Sequence, residues 1–355
     1  MTDHPVRARV NWEGGTKRID IGRTLMISFA NGVVVRRMLL AGFAMACGAT
    51  APQVASQPFP NKPIRIVVGA GVSTPSDILS RVLASELSNS EKWTVIVENR
   101  PGASQVIGGT EVFKSPADGY TIFNSGLPIA AAPALQAKIP FDLLKDFQSV
   151  IQIARSYNVL VVHPSLEAKS LPDLVKLLKA QPDKLNYSSG GLGTPAHLVG
   201  ELFRQQADVR AAHVPYVQFP QAITDLLNGT NHYMFITTLP VMGLIGDGKL
   251  RALAVTSPQR LPALRDVPTV AEQGYAGLTV GDWSGMMVRT ETPAAIVTQL
   301  NGALNKSLQA SPVKEAFARV AAEPVGGAPD VFAKQLREDV EKWGKVIATA
   351  GVKPK

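Results

Sequence analysis

The side chains able to do chemistry are few and scattered. After residue 60 the histidines are His163, His197, His213 and His232, and no two fall within one helical turn, so no metal-ligand pair is offered. His197 follows a glycine-rich stretch and opens an apolar-periodic segment, where it can touch a ligand or bond its own helix terminus. His163 before Pro164, and His213 before Val-Pro-Tyr, read as strand-end structural residues. The single cysteine, Cys47, excludes an intramolecular disulfide and a cysteine-based zinc cluster within one chain.

The glycine-rich segments fail as nucleotide loops. GLIGDGKL, from Gly243 to Leu250, has phosphate-loop spacing through Lys249, but Leu250 stands where a hydroxyl must reach Mg²⁺. Gly69-Ala70-Gly71 starts like a dinucleotide fingerprint and breaks at Val72-Ser73-Thr74-Pro75. Gly281-Asp282-Trp283-Ser284-Gly285 has the wrong spacing for a nucleophilic serine elbow. With no acid–base pair, activated nucleophile, metal cluster or cofactor motif, the expected chemistry is reversible binding without a cofactor.

The elements that must position such a site alternate along the chain. Short β-branched runs alternate with longer amphipathic segments after Pro60, the pattern of an α/β fold with a largely parallel sheet. Ile64–Val68 reads as the first strand, and Ile78, Leu79, Val82, Leu83 and Leu87 then form one stripe of a helix. Strands follow at 93–97, 120–124 and 151–162, with a helix at 106–114 between the first two. A second series begins at Ser170, a hydroxyl cap for a helix that Pro182 ends. It continues with strands at 184–188, 213–216, 233–236 and 250–256 and helices at 197–206 and 221–227. Two helices, around 293–308 and 329–348, close the chain and need the first lobe's sheet to pack against.

Composition agrees with two folded lobes: 45% of the residues are hydrophobic and 18% charged. The formal charge of +8 does not mark a nucleic-acid surface, because no Lys/Arg run with interleaved aromatics occurs after residue 57. Arg36 and Arg37 precede the apolar run MLLAGFAMACGATA and a polar stretch with a small-residue site at Val54-Ala55-Ser56, which predicts a cleavable signal peptide. That run is too short for a membrane span, which needs about 20 residues. Residues 1–56 are therefore expected to be a leader, with Met26 as a candidate start and a mature chain from Gln57.

PNKPIRIVV, ENRPGA, SPADGYT, LNYSSGGLGTPAHLVGELF, HVPY, GKLRALAVTS, DVPTVAEQG and EPVGG occur in one order from Pro60 to Gly327. Together they resemble the Bug family, periplasmic solute-binding receptors of tripartite tricarboxylate transporters. The resemblance implies two doubly wound lobes of the type II periplasmic binding protein (Venus flytrap) architecture. It also implies a periplasmic monomer that captures a small organic carboxylate and serves membrane permease subunits. The expected division is 57–157 for the first part of the first lobe, 158–280 for the second lobe and 281–355 for the return to the first.

The resemblance and the rule that ligands sit beyond the carboxyl ends of strands, near helix N-termini, point to the same loops. In the first lobe these are Gly71, Val72 and Ser73, with Asp77 as the family's loop aspartate or a helix cap, and Gly102, Ala103 and Ser104 after ENRP. In the second lobe Ser189, Gly190, Gly191 and Thr194 before the helix of His197 would form a carboxylate nest. Thr237 and Thr238 align with a cleft-lining loop, and Trp283 is a wall or a core residue. The chain departs from the family's usual Pro-Pro-Gly-Gly loop with GAGVSTPS, and from a Lys and a small residue after HVPY with Val217-Gln218-Phe219-Pro220. Phe219 in place of a small residue implies a more apolar pocket, suited to an aromatic or longer-chain carboxylate, unless Phe219 is buried in the core. A signalling sensor of the same fold and a secreted enzyme with an unrecognised cleft site are the alternatives.

Overall fold

Ile64, Ile66, Val67 and Val68 are all buried, as a strand covered by helices on both faces must be. They form β1 (Ile64–Val68) in a computed structural model that describes residues 59–216 and 218–354. The expected signal peptide lies outside the described residues. β1 pairs in parallel with β2 (Val95–Asn99) and β3 (Thr121–Gly126). β4 (Phe147–Val162), β5 (Asn186–Ser189), β6 (Ala212–Pro215), β7 (Tyr233–Thr237), β8 (Arg251–Val255), β9 (Gly281–Arg289) and β10 (Glu323–Pro324) complete the sheet, whose order is β2-β1-β3-β9-β4-β7-β5-β6.

β4 is the shared element. Its first half pairs antiparallel with β9 as far as Tyr157 and with β10 at Ala154 and Arg155. From Asn158 on it pairs with β7, and from Val159 with β8. Two sheets thus meet on one 16-residue strand, longer than the segment expected from Ile151. Phe147, Val150 and Ile151 are buried in the first sheet and Val159 to Val162 in the second, so one apolar run serves two cores. β9, which sequence periodicity did not announce, joins β3 to β4 and carries the chain back into the first sheet.

The helices cover both sheets: α1 (Pro75–Ser90), α2 (Val106–Phe113), α3 (Leu127–Leu135), α4 (Leu171–Ala180), α5 (Pro195–Ala207), α6 (Phe219–Leu227), α7 (Met242–Gly246), α8 (Ala294–Leu308), α9 (Ser311–Arg319) and α10 (Pro329–Ala350). Leu79, Leu83 and Leu87 of α1 pack with Ile64, Ile66 and Val68, the apolar stripe that the 3.6-residue spacing predicts. α3 was not foreseen: its sequence LPIAAAPAL is apolar on every side, so it shows no period, and it is almost wholly buried. α10 lies against α3, β4 and α5 and buries Phe332, Leu336, Trp343 and Ile347. The Walker-like segment is α7 running into β8. Among the described residues no helix is long and apolar enough to cross a membrane, and no group of His, Cys, Asp and Glu is placed to hold a metal.

Candidate functional site

Where the two sheets meet, a cleft of about 350 Å³ opens at the carboxyl ends of the parallel strands. Four helices begin at its wall: α1 with Thr74, Pro75 and Ser76, α3 with Gly126 and Pro128, α5 with Thr194, Pro195 and Ala196, and α6 with Phe219. Each carries proline in its first turn, where a missing N–H costs nothing and the fixed φ suits a helix start. No side chain caps α5 or α6, whereas the Gly126 amide that opens α3 is taken by Gln105. Helix N-termini carry partial positive charge, and here they converge on a space whose lining, among the described residues, holds no Lys, Arg or His. Ala70, Ile236, Val320 and the Phe219 and Trp283 rings make much of the remaining wall apolar. A larger hollow of about 480 Å³, between Ile129, Phe141, Leu144 and Val340, has only Gln136 and Asp142 as polar lining side chains.

The loop before α5 is held from below. Thr194 Oγ1 donates to the Gly191 carbonyl at 2.7 Å, and Ser189 Oγ receives the Gly191 N–H at 3.1 Å. The Gly193 N–H donates to His197 Nδ1 at 3.1 Å, which fixes the proton of the neutral ring on Nε2. His197 packs on His213, 4.5 Å between centroids, and His213 stacks on Tyr187. Tyr187 donates to Glu201 Oε1 at 2.5 Å, and Arg204 meets both oxygens of Glu201. Burial pushes both histidines down to about 4, with Arg204 adding to the effect at His197 and His197 adding to it at His213, so both rings are neutral at pH 7. His213 Nε2 lies 2.7 Å from Ser189 Oγ and ties the network to the loop.

The opposite wall is built from backbone conformation. Gly102, Ala103, Ser104 and Gln105 all have positive φ, an unusual run for three residues with side chains. The run turns Gln105 inward, where its Oε1 accepts the Gly126 N–H at 2.8 Å. Gly69 permits this approach, since a Cβ there would lie 2.8 Å from Gln105 Cβ. Ser104 reaches across to the other lobe: a Cβ on Gly193, at φ +80, would lie 2.6 Å from Ser104 Oγ and 2.8 Å from Leu135 Cδ1. Trp283 stands over Phe332 at 5.1 Å, edge to face, and donates its Nε1–H to Asp339 at 2.8 Å. Beside it Asp282 lines the cleft. Burial pushes its carboxyl up to about 7, against the donating amides of Trp283 and Leu127.

Of the residues expected from the sequence, Gly190, Thr194, Phe219, Thr237 and Trp283 line this cleft, and Gly191 and Ser104 are chain neighbours of the lining residues Gly190 and Gln105. Phe219 serves the wall and also packs against the apolar cluster of Val159, Ala222 and Leu226. Gly71, Val72 and Ser73 lie outside the lining, with Val72 69% exposed, while Ala70 and Thr74 of that loop belong to it. Gly102 and Ala103 are exposed and outside the lining. Asp77 is buried and turned away from the cleft, accepting from the Ser73 N–H, Asn99 Nδ2 and Arg81 Nε. Burial works against its ionisation, yet Arg81, the Ser73 amide and Asn99 together hold its carboxyl below the usual range. The residue that caps α1 is Thr74, not Asp77. His197 is 0% exposed and supports the loop through its bond to Gly193, and Ser189 and Thr238 are likewise buried. Gln105, Asp282, Asn158 and Ser156 line the cleft and were not singled out beforehand. Gln105 falls one residue past the loop expected at Gly102, Ala103 and Ser104, and Asp282 is marked only as a lone acid in an apolar strand.

A family model described as the tripartite tricarboxylate transporter family receptor matches residues 79–352. BugT of Bordetella pertussis is 33% identical over 324 residues, 91% of this chain and 99% of BugT. Among solved structures, Rpa4515 of R. palustris with adipate is 32% identical with a TM-score of 0.74, over 84% of this chain and all of that one. MatC of Rhodopseudomonas palustris with bound malate is 27% identical with a TM-score of 0.71, over 81% of this chain and all of that one. A two-lobed flytrap with a cleft walled by helix N-termini, matched by this family over most of its length, belongs to the Bug-type receptors of tripartite tricarboxylate transporters.

Proposed function

We propose that the protein is an exported, monomeric receptor that captures a small organic carboxylate between its lobes and presents it to membrane permease subunits. The observation that carries this reading is the convergence of four helix N-termini on a cleft whose lining has no cationic side chain. Backbone amides and the Thr237 hydroxyl then take the carboxylate, with water filling unmatched positions. Adipate and malate in two related structures support an organic acid as the ligand class. The aromatic and aliphatic wall of Phe219, Ile236 and Trp283 favours an acid with an apolar or aromatic body. Closure binds the ligand without making or breaking a bond, and the residues around the cleft form no nucleophile–base pair.

Recovery of the protein from the periplasm of its own host tests the reading. N-terminal sequencing is expected to begin near Gln57, and native mass spectrometry is expected to release an organic acid in one-to-one ratio. A product that retains residues 1–35, or that releases a substrate's hydrolysis products, contradicts it.

A further inference from the structure

Among the described residues Asp282 is the one ionisable side chain in the lining of the cleft. It lies on β9 opposite Ser156 of β4, and its Oδ1 accepts the Trp283 N–H at 2.9 Å. α3 begins directly beside it, and the first amide of that helix, Leu127, draws on the same carboxyl. The preceding amide, Gly126, is taken by Gln105. The positive end of α3 is therefore already spent on the protein's own groups, while α5 and α6 keep uncapped first turns.

We infer that Asp282 fills, from within the protein, the place where a second ligand carboxylate would be received, so that the cleft selects acids with a single negative charge. This rests on the carboxylate reading above.

The surroundings offer no compensation. α3 carries no ionisable side chain, and Thr74, Ser76, Gln105 and Asn158 around the cleft are neutral. Behind the crossing strands, Arg155 of β4 and Asp339 and Lys342 of α10 line a separate polar hollow of about 280 Å³. From there Asp339 disfavours a charge on Asp282. A monocarboxylate directed at α5 leaves its apolar body against Phe219 and Trp283. A dicarboxylate of the same length brings a second anion toward an acid, and it is accommodated only when a proton is taken up. Asp282 titrates near 7, so this discrimination is strong at pH 8 and weak at pH 6.

Calorimetric titration with saturated mono- and dicarboxylates of four to eight carbons, at pH 8 and pH 6, tests the assignment on wild type, Asp282→Ala and Asp282→Asn. At pH 8 the wild type is expected to bind the best monocarboxylate at least tenfold more tightly than the dicarboxylate of equal length. The ratio narrows at pH 6. Either substitution is expected to raise dicarboxylate affinity at least tenfold relative to monocarboxylate affinity at pH 8, and to remove the pH effect. Asp282→Asn keeps the shape and the acceptor oxygen, so its ratio decides the matter should the alanine variant fold poorly. A wild-type preference for dicarboxylates at pH 8, or a ratio unmoved in Asp282→Asn, overturns the assignment while leaving carboxylate capture intact. Failure of every acid to bind overturns both.

Discussion

The two walls of the cleft solve opposite problems with buried and half-buried ionisable groups. Beneath the second-lobe loop, His197 and His213 are held neutral by burial and lock Gly193 and Ser189 in place. On the crossing strands and α10, Asp282 and Asp339 are pushed toward their protonated forms, again chiefly by burial. One wall keeps protons off bases, and the other keeps them on acids. The histidines therefore add no charge beside the helix ends at neutral pH, whereas Asp282 becomes an anion as pH rises through about 7.

The largest expected effect comes from setting these walls against each other with acid. The histidines titrate near 4 when folded and near 6.5 otherwise, so the unfolded chain takes up their protons first. Their contribution is complete above pH 6.5 and is lost as pH falls through 4, at up to roughly 3 kcal/mol for each ring. Asp282 runs the other way: its folded value of about 7 exceeds 3.8, so its contribution is complete below 3.8 and lost as pH rises through 7. Urea denaturation between pH 4 and 6.5 should therefore show a steeper acid loss in Asp282→Asn than in wild type. Parallel curves would remove the contrast.

Next in size is the contact between the lobes. Gly193→Val places a branched Cβ against Ser104 and Leu135 at a φ of +80, which disfavours any side chain by about 1–2 kcal/mol. Closure should suffer, with ligand affinity falling on the order of 100-fold, about 2.7 kcal/mol. Affinity within threefold of wild type would show that the Ser104 approach plays no part in binding.

Thr194→Val is the smallest. The Thr194 hydroxyl donates to Gly191 within its own loop, so its loss loosens the loop and removes a polar group from the cleft. Affinity should fall by roughly 1 kcal/mol with the melting temperature nearly unchanged. A melting-temperature loss equal with and without ligand would assign Thr194 to stability alone.

Much of this architecture was legible because burial and period coincide. Ile64–Val68 and the stripe of α1 announce a covered strand and its helix, and the glycine-rich run before Pro195 announces a helix start. α3 was hidden because Pro128, Pro133 and an unbroken apolar run leave no period to see. The inward turn of Gln105 was hidden because three non-glycine residues adopt left-handed backbone, which composition does not signal. Thr74-Pro-Ser-Asp77 did carry a capping pattern, and reading it as one would have placed Thr74 at the cap and Asp77 folded back on Ser73. Asp282 appeared only inside a failed serine motif. Its position depends on β9 crossing between β3 and β4, a pairing across more than a hundred residues.

The central claim is that helix ends, and no cationic side chain, recognise a carboxylate in this cleft. Calorimetry with the best-binding monocarboxylic acid and its primary amide, equal in size and shape, tests it most directly. The acid is expected to bind at least 100-fold more tightly than the amide, with an affinity that changes little between low and moderate salt because the donors are shielded within the closed lobes. Equal affinities for acid and amide would contradict the account.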